Sequence, residues 1–209
     1  MSLFIFSIGV SELSQARILG GVGSILMLLS FVPSVGGILG IIGVILVIIA
    51  VKYVADAVGD RRIFNNMLIS VLIGIIGVVA GIIVGAVSVL TIFTKSFGMP
   101  PNFYEWFNLQ ALNLESLTRI LVGIFIALII IWVFCILSAI FIRRSFTTIS
   151  LRLNIRLFST AALLYLIGAA LLIILVGAVL ILVAVVLQTI AFFSMPESVP
   201  EQARISQPM

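Results

Sequence analysis

The side chains that do acid–base, nucleophilic or metal chemistry are few in this 209-residue chain, and they are scattered. There is no histidine, so the group that most often titrates near neutral pH, ligates zinc or holds haem iron is missing. Cys135 is the single cysteine and lies inside an apolar run. It has no partner in the chain for a disulfide or a paired-cysteine zinc or iron–sulfur site, and a small buried hydrophobe accounts for it. An enzyme acting on lipid would need carboxylates near headgroup depth, for which Asp56, Asp60 and Glu105 are the candidates. No phosphate-binding loop, GxSxG elbow or HExxH pair accompanies them. The expectation is a non-enzymatic protein with no catalytic, cofactor or metal site.

The elements that carry these residues belong in a bilayer. Hydrophobic residues make up 63% of the chain and charged residues 9%, with a mean hydropathy of +1.44. A soluble domain is about 45–50% apolar and about 25% charged, so this chain cannot clothe a globule in polar surface. Four blocks, 18–51, 63–94, 120–142 and 157–196, hold no Asp, Glu, Lys or Arg. A proton relay needs titratable groups within the membrane, which makes an ion-motive or redox machine improbable. The net charge of +4 comes from basic residues flanking apolar helices, which fits anionic lipid headgroups and not nucleic acid. The first ten residues lack a basic n-region, so the first span is expected to serve as its own targeting signal.

At roughly 20 residues per span the blocks provide six transmembrane helices, over about 14–32, 35–54, 65–94, 119–142, 156–175 and 177–194. The first block breaks at Phe31-Val32-Pro33-Ser34-Val35-Gly36-Gly37, where proline and glycine stop a helix. The last block is too long for one span and is expected to fold back near Val176-Gly177. The predicted fold is thus an all-α integral membrane bundle in one domain: an N-terminal hairpin, two single spans and a C-terminal hairpin. Six spans place Arg17, Lys52, Arg61, Arg62, Arg143, Arg144, Arg152, Arg156 and Arg204 on one side, and only Lys95 and Arg119 on the other. The positive-inside rule then puts both termini in the cytoplasm. The two hairpins also resemble each other: seven of the sixteen residues in 35–50 recur 141 positions later, as either a parallel duplication or a chance match in a chain rich in Ile, Leu, Val, Gly and Ala.

Several features bear on how such a protein would act. Ser70, Gly74, Gly77, Gly81, Gly85 and Ser88 recur every three or four residues and so share one helix face. Such a stripe lets a second backbone come close where no hydrophobic effect favours association. It suits a neighbouring helix of the same chain first, then a second copy of the protein, then a lining for lipid or a pore. Gly59 fits a helix C-terminus and Asp60 an N-cap, giving a helical corner between spans two and three; a ligand or partner site built on Asp60, Arg61 and Asn65 is the other reading. In the 95–119 loop, Asn102 and Glu105 have capping-box spacing, and Phe103, Tyr104, Trp106 and Phe107 suit an interfacial helix in the headgroup belt, or a partner's docking surface. Beyond the fourth span, Arg143, Arg144, Arg152 and Arg156 are expected to bind lipid headgroups. In helical form Arg144, Arg152 and Arg156 share one face, and Phe146, Ile149 and Leu153 share another. Gln188, the only amide in the last span, is assigned one interhelical hydrogen bond.

The segments LGGVGSILMLLSFVPSVGGILGIIGVILVIIAVKYVADAVGDRRIFNN at 19–66, FIRRSF at 141–146, LLYLIGAALLIILVG at 163–177 and IAFFSMP at 190–196 carry a resemblance. The chain resembles a family of small multi-pass archaeal membrane proteins, many from thermophiles, known only as a domain of unknown function. GDRRIFNN is its most specific part. The resemblance implies an archaeal cell membrane and no activity. The expected role is structural or accessory, through close packing with a second copy or a partner complex, with membrane lipids as the other partner. A transporter or channel for a neutral or lipid-like solute is the alternative.

Overall fold

The computed structural model describes residues 2–30, 32–97 and 114–196. Among them, six α-helices follow one another: α1 (Ser2–Leu29), α2 (Gly36–Val58), α3 (Arg61–Phe97), α4 (Leu114–Leu153), α5 (Arg156–Ala170) and α6 (Val176–Phe193), with a 3₁₀ turn at Leu172–Ile174 before α6. The described residues contain no strand. Five of the helices are long and apolar enough to cross a membrane; α5 is the shorter one. Its 15 residues rise about 22 Å, and the 3₁₀ turn adds about 6 Å, close to a hydrocarbon core of about 30 Å.

The chain forms two compact units. The first comprises Met1–Leu72 and Ile136–Met209, and is built on two helical hairpins. Between α1 and α2 the chain reverses through Ser34, whose φ of 77° is left-handed, and Gly36 donates its N–H to the Val32 carbonyl at 2.9 Å. The two helices cross at Gly23 and Gly43, where a Cβ on either glycine would fall within 2.8 Å of the other's carbonyl oxygen. Only hydrogen fits there, so this crossing holds the backbones in direct contact. In the second hairpin, α5 packs on α6, and the block 157–196 therefore folds back. Its turn runs through Leu171–Leu175, just before the expected 176–177. Leu175 takes the left-handed conformation (φ 61°) and the helix restarts at Val176. The offset of 141 relates these turns in detail. It sets the last residue of α1, Leu29, on the last of α5, Ala170; left-handed Ser34 on left-handed Leu175; and Gly36 on Gly177, each pressed against the backbone where the preceding helix ends. The hairpins join through α1 and α6, with the ring of Phe192 seated on Gly20 and that of Phe193 on Gly21.

The best-packed core of this unit lies at the end that carries the charges. Leu13, Ala16, Val51, Val54, Ala55, Val58, Ile63, Phe146, Ile149, Phe158 and Phe192 are all essentially inaccessible there. Phe146 and Phe158 meet edge to face at 5.5 Å between centroids, as do Phe158 and Phe192 at 5.1 Å, a geometry that aligns ring edge with ring face. The contrast with the exposed apolar faces of α2, α3 and α4 has a simple cause. Beyond the hydrocarbon, apolar side chains must be covered by protein, because water surrounds them; inside it, lipid covers them equally well.

α4 reaches Leu153, so the arginine-rich segment after the fourth span is helical as expected up to that point. It ends because Asn154 adopts φ 56° and Ile155 N–H bonds back to the Ser150 carbonyl at 3.1 Å, a Schellman closure with asparagine in the usual glycine position. Arg156 therefore opens α5 and does not share a face of α4 with Arg144 and Arg152. That is a correction: the helical projection assumed one continuous helix, and Asn154, one of the few residue types that enters the left-handed region readily, breaks it.

The second unit, Ile73–Cys135, holds the continuation of α3 and the first part of α4.

Candidate functional site

Within the second unit the small-residue stripe of α3 meets α4 of the same chain. A Cβ on Gly77 would collide with Phe134 and one on Gly81 with Ile131, while Gly85 faces the Ala127 methyl at an ordinary 3.8 Å. Farther along, Ser88 sits against Gly123 and returns its hydroxyl hydrogen to the Val84 carbonyl at 2.7 Å. Large residues of α4 thus fill the notch left by the small residues of α3, which is how van der Waals packing holds helices together in lipid. Gly74 is half-buried. In the first unit, Ser70 is fully buried and its hydroxyl lies 3.0 Å from that of Ser138 on α4.

A buried polar chain links α1, α5 and α6. Tyr165 Oη donates to Gln188 Oε1 at 2.8 Å, Gln188 Nε2 donates to Ser24 Oγ at 2.8 Å, and Ser24 Oγ donates to the Gly20 carbonyl at 2.7 Å. Gln188 thus makes two interhelical bonds where one was expected. Ser24 and Tyr165, which the residue types alone did not single out, are separated by 141 positions, the offset of the two hairpins. Extending the hairpin alignment upstream would have brought them together. Among the described residues, no buried side-chain nitrogen or oxygen lacks a hydrogen-bond partner, and no group of three or more His, Cys, Asp or Glu residues is placed to hold a metal ion.

At the charged end, α2 closes on Gly59 in the left-handed region (φ 71°), with Asp60 N–H bonded to the Ala55 carbonyl at 3.0 Å. This reversal delivers Asp60 to the start of α3. Asp60 Oδ1 accepts the Arg62 N–H at 3.1 Å, and Oδ2 accepts from Arg152 Nη2 at 3.1 Å. One carboxylate therefore caps α3 and ties it to the last turn of α4. Ser145, two turns before Arg152 on α4, makes a second tie, its Oγ donating to the Ile63 carbonyl at 2.8 Å. Of the four arginines expected at headgroups, Arg152 is engaged by Asp60, while Arg143, Arg144 and Arg156 are exposed. Arg144 stacks over the Phe141 ring, 5.4 Å from its centroid. Arg61, Arg62 and Lys52 are exposed at the same end. Phe103, Tyr104, Trp106 and Phe107 lie outside the described residues.

Comparison with known proteins places this arrangement in a family without assigning it a task. No curated protein and no solved structure matches the chain. Residues 39–186, which run from early α2 into α6 and include both the α3–α4 seam and the Asp60–Arg152 pair, match the model of a protein family of unknown function, DUF996. The chain belongs to the DUF996 family.

Proposed function

We propose that this protein is a non-enzymatic, structural or accessory component of an archaeal cell membrane, with six spans and both termini in the cytoplasm, acting through close helix packing with a second copy or a partner complex. The observation that carries the reading is the uneven cover of the spans. Over an apolar stretch of 18 residues, α1, α2 or α6 is 33% buried within the chain and α3 22%, whereas α4 is only 11% buried. Because α4 already fills the glycine-zipper notch of α3, its opposite face, with Leu121, Phe125 and Leu128 exposed, is what the chain offers to a neighbour. The nine-to-two division of basic residues supports the orientation. The closed hydrogen-bond chain of Ser24, Gln188 and Tyr165 supports a packing role over a polar solute path, since its groups answer one another. Size-exclusion chromatography with light scattering in mild detergent tests the proposal. A dimer or larger assembly is expected, reduced to monomer by Phe125→Ala combined with Leu128→Ala. A monomer that moves a neutral solute or scrambles lipid in liposomes would replace this reading with a transporter.

A further inference from the structure

The charged end of the first unit divides its cations into two kinds. Arg152 is tied to Asp60, the acid that also caps α3. Arg61, Arg62, Arg143, Arg144 and Arg156 are exposed. The Ser145–Ile63 bond brings the neighbours Arg144 and Arg62 to the same level of the α3–α4 pair, and the Asn154 corner returns the chain so that Arg156 begins α5 beside the last turn of α4. Asp60, which precedes Arg61 and Arg62 directly, is occupied on both oxygens. Arg143 and Arg144 follow directly on the uncharged run 120–142, which sets their level at the edge of the hydrocarbon. On the same face as Arg144, two helical turns on, Leu151 is 78% exposed. This face is opposite the buried Phe146, Ile149 and Leu153. Leu151 lies about 10 Å beyond Arg144 and so outside the acyl chains; what points to lipid is the level of the arginines, since headgroup phosphates lie just above the hydrocarbon edge where the uncharged run ends.

We propose that Arg61, Arg62, Arg143, Arg144 and Arg156 form a binding surface for the headgroup phosphates of anionic phospholipid, with Arg152 excluded from it. Guanidinium groups take phosphate oxygens in bidentate fashion; both lipid classes carry that phosphate, and the clustered positive charge selects the anionic one because it repels the quaternary ammonium of a zwitterionic headgroup.

Native mass spectrometry of the full chain, released from nanodiscs of equimolar phosphatidylglycerol and phosphatidylcholine, reads the selection directly. Retained phosphatidylglycerol should exceed phosphatidylcholine by more than about tenfold, with each arginine worth up to about fivefold near an anionic surface. Arg143→Gln combined with Arg144→Gln should cut the ratio at least about fivefold, and adding Arg61→Gln, Arg62→Gln and Arg156→Gln should bring it near one. If the fivefold variant does not fold, the double variant alone decides. Asp60→Asn combined with Arg152→Gln removes the internal pair without changing net charge, and should leave the ratio unchanged while lowering the melting temperature. The proposal is overturned by a wild-type ratio near one, by an unchanged ratio in the Arg143/Arg144 variant, by an equal loss in the Asp60/Arg152 variant, or by millimolar inorganic phosphate displacing the lipid.

Discussion

Gln188 Nε2 donates to Ser24 Oγ at 2.8 Å across 164 positions of sequence, and this bond joins the first hairpin to the second in the middle of an apolar bundle. Its other partner, Tyr165, is buried. Gln188→Leu keeps the volume close but leaves the Tyr165 hydroxyl buried without an acceptor. An orphaned buried hydroxyl costs about 1–3 kcal/mol, while interhelical hydrogen bonds in membranes average nearer 0.6 kcal/mol. Gln188→Leu is therefore expected to destabilise by about 1–2 kcal/mol in thermal unfolding, and adding Tyr165→Phe should recover part of that loss. A double-mutant cycle that shows no coupling between the two positions contradicts the network.

Glycines of one stripe should respond unequally, because α4 does not press on them equally. Gly81 has Ile131 against it, whereas Gly85 has room for a methyl group at van der Waals distance from Ala127. Gly81→Leu is expected to force α3 and α4 apart at a cost of about 1–3 kcal/mol. Gly85→Ala should change stability by less than about 0.5 kcal/mol, with its better helix propensity helping slightly. Melting temperatures of the two variants in one detergent are the comparison; a larger loss at Gly85 would misplace the seam.

Asp60 has two tasks that can be separated. Asp60→Ala removes both the N-cap of α3 and the anchor of Arg152, for an expected loss of about 1–2 kcal/mol. Asp60→Asn keeps a capping oxygen and loses only the ionic part. The Arg152 side chain is 30% exposed, so that part is worth less than about 1 kcal/mol. Raising salt from 0.05 to 1 M should narrow the gap between wild type and Asp60→Asn, and leave the gap between Asp60→Asn and Asp60→Ala unchanged.

The same corner region shows what the residues disclose and what they withhold. Gly59 and Asp60 were legible, because glycine at a helix end and aspartate at a start each answer a local backbone need. The Asn154 break was not, since Phe146, Ile149 and Leu153 continue a helical pattern up to it, and asparagine, though it enters the left-handed region readily, also occurs within helices. The small-residue stripe disclosed that a helix packs closely but not which one; that choice depends on Phe134 and Ile131 more than forty residues on. Arg152 was legible as a cation and illegible as a partner of Asp60, 92 positions away. At Asn154 the test is a pair of substitutions. Asn154→Gly is expected to be neutral within about 0.5 kcal/mol, whereas Asn154→Val, which pays the full penalty of a β-branched residue at positive φ, should cost about 1–2 kcal/mol.

The two environments of phenylalanine in this chain give the sharpest contrast. Phe158 is sealed between Phe146 and Phe192 at the charged end, where protein replaces water; Phe125 is 61% exposed on the bare face of α4. Phe158→Ala opens a cavity in a packed core and is expected to cost about 3–5 kcal/mol. Phe125→Ala exchanges one apolar surface for another in contact with lipid or a neighbouring helix, so the melting temperature of the monomer should hardly move. The oligomeric state of that variant then carries the information. If a second copy covers the α4 face, truncating Phe125 weakens the assembly several-fold in a dilution series followed by light scattering, with the fold intact. If lipid alone covers it, the dilution curve superimposes on that of the wild type, and the proposed packing role of α4 fails although the core at the other end stands.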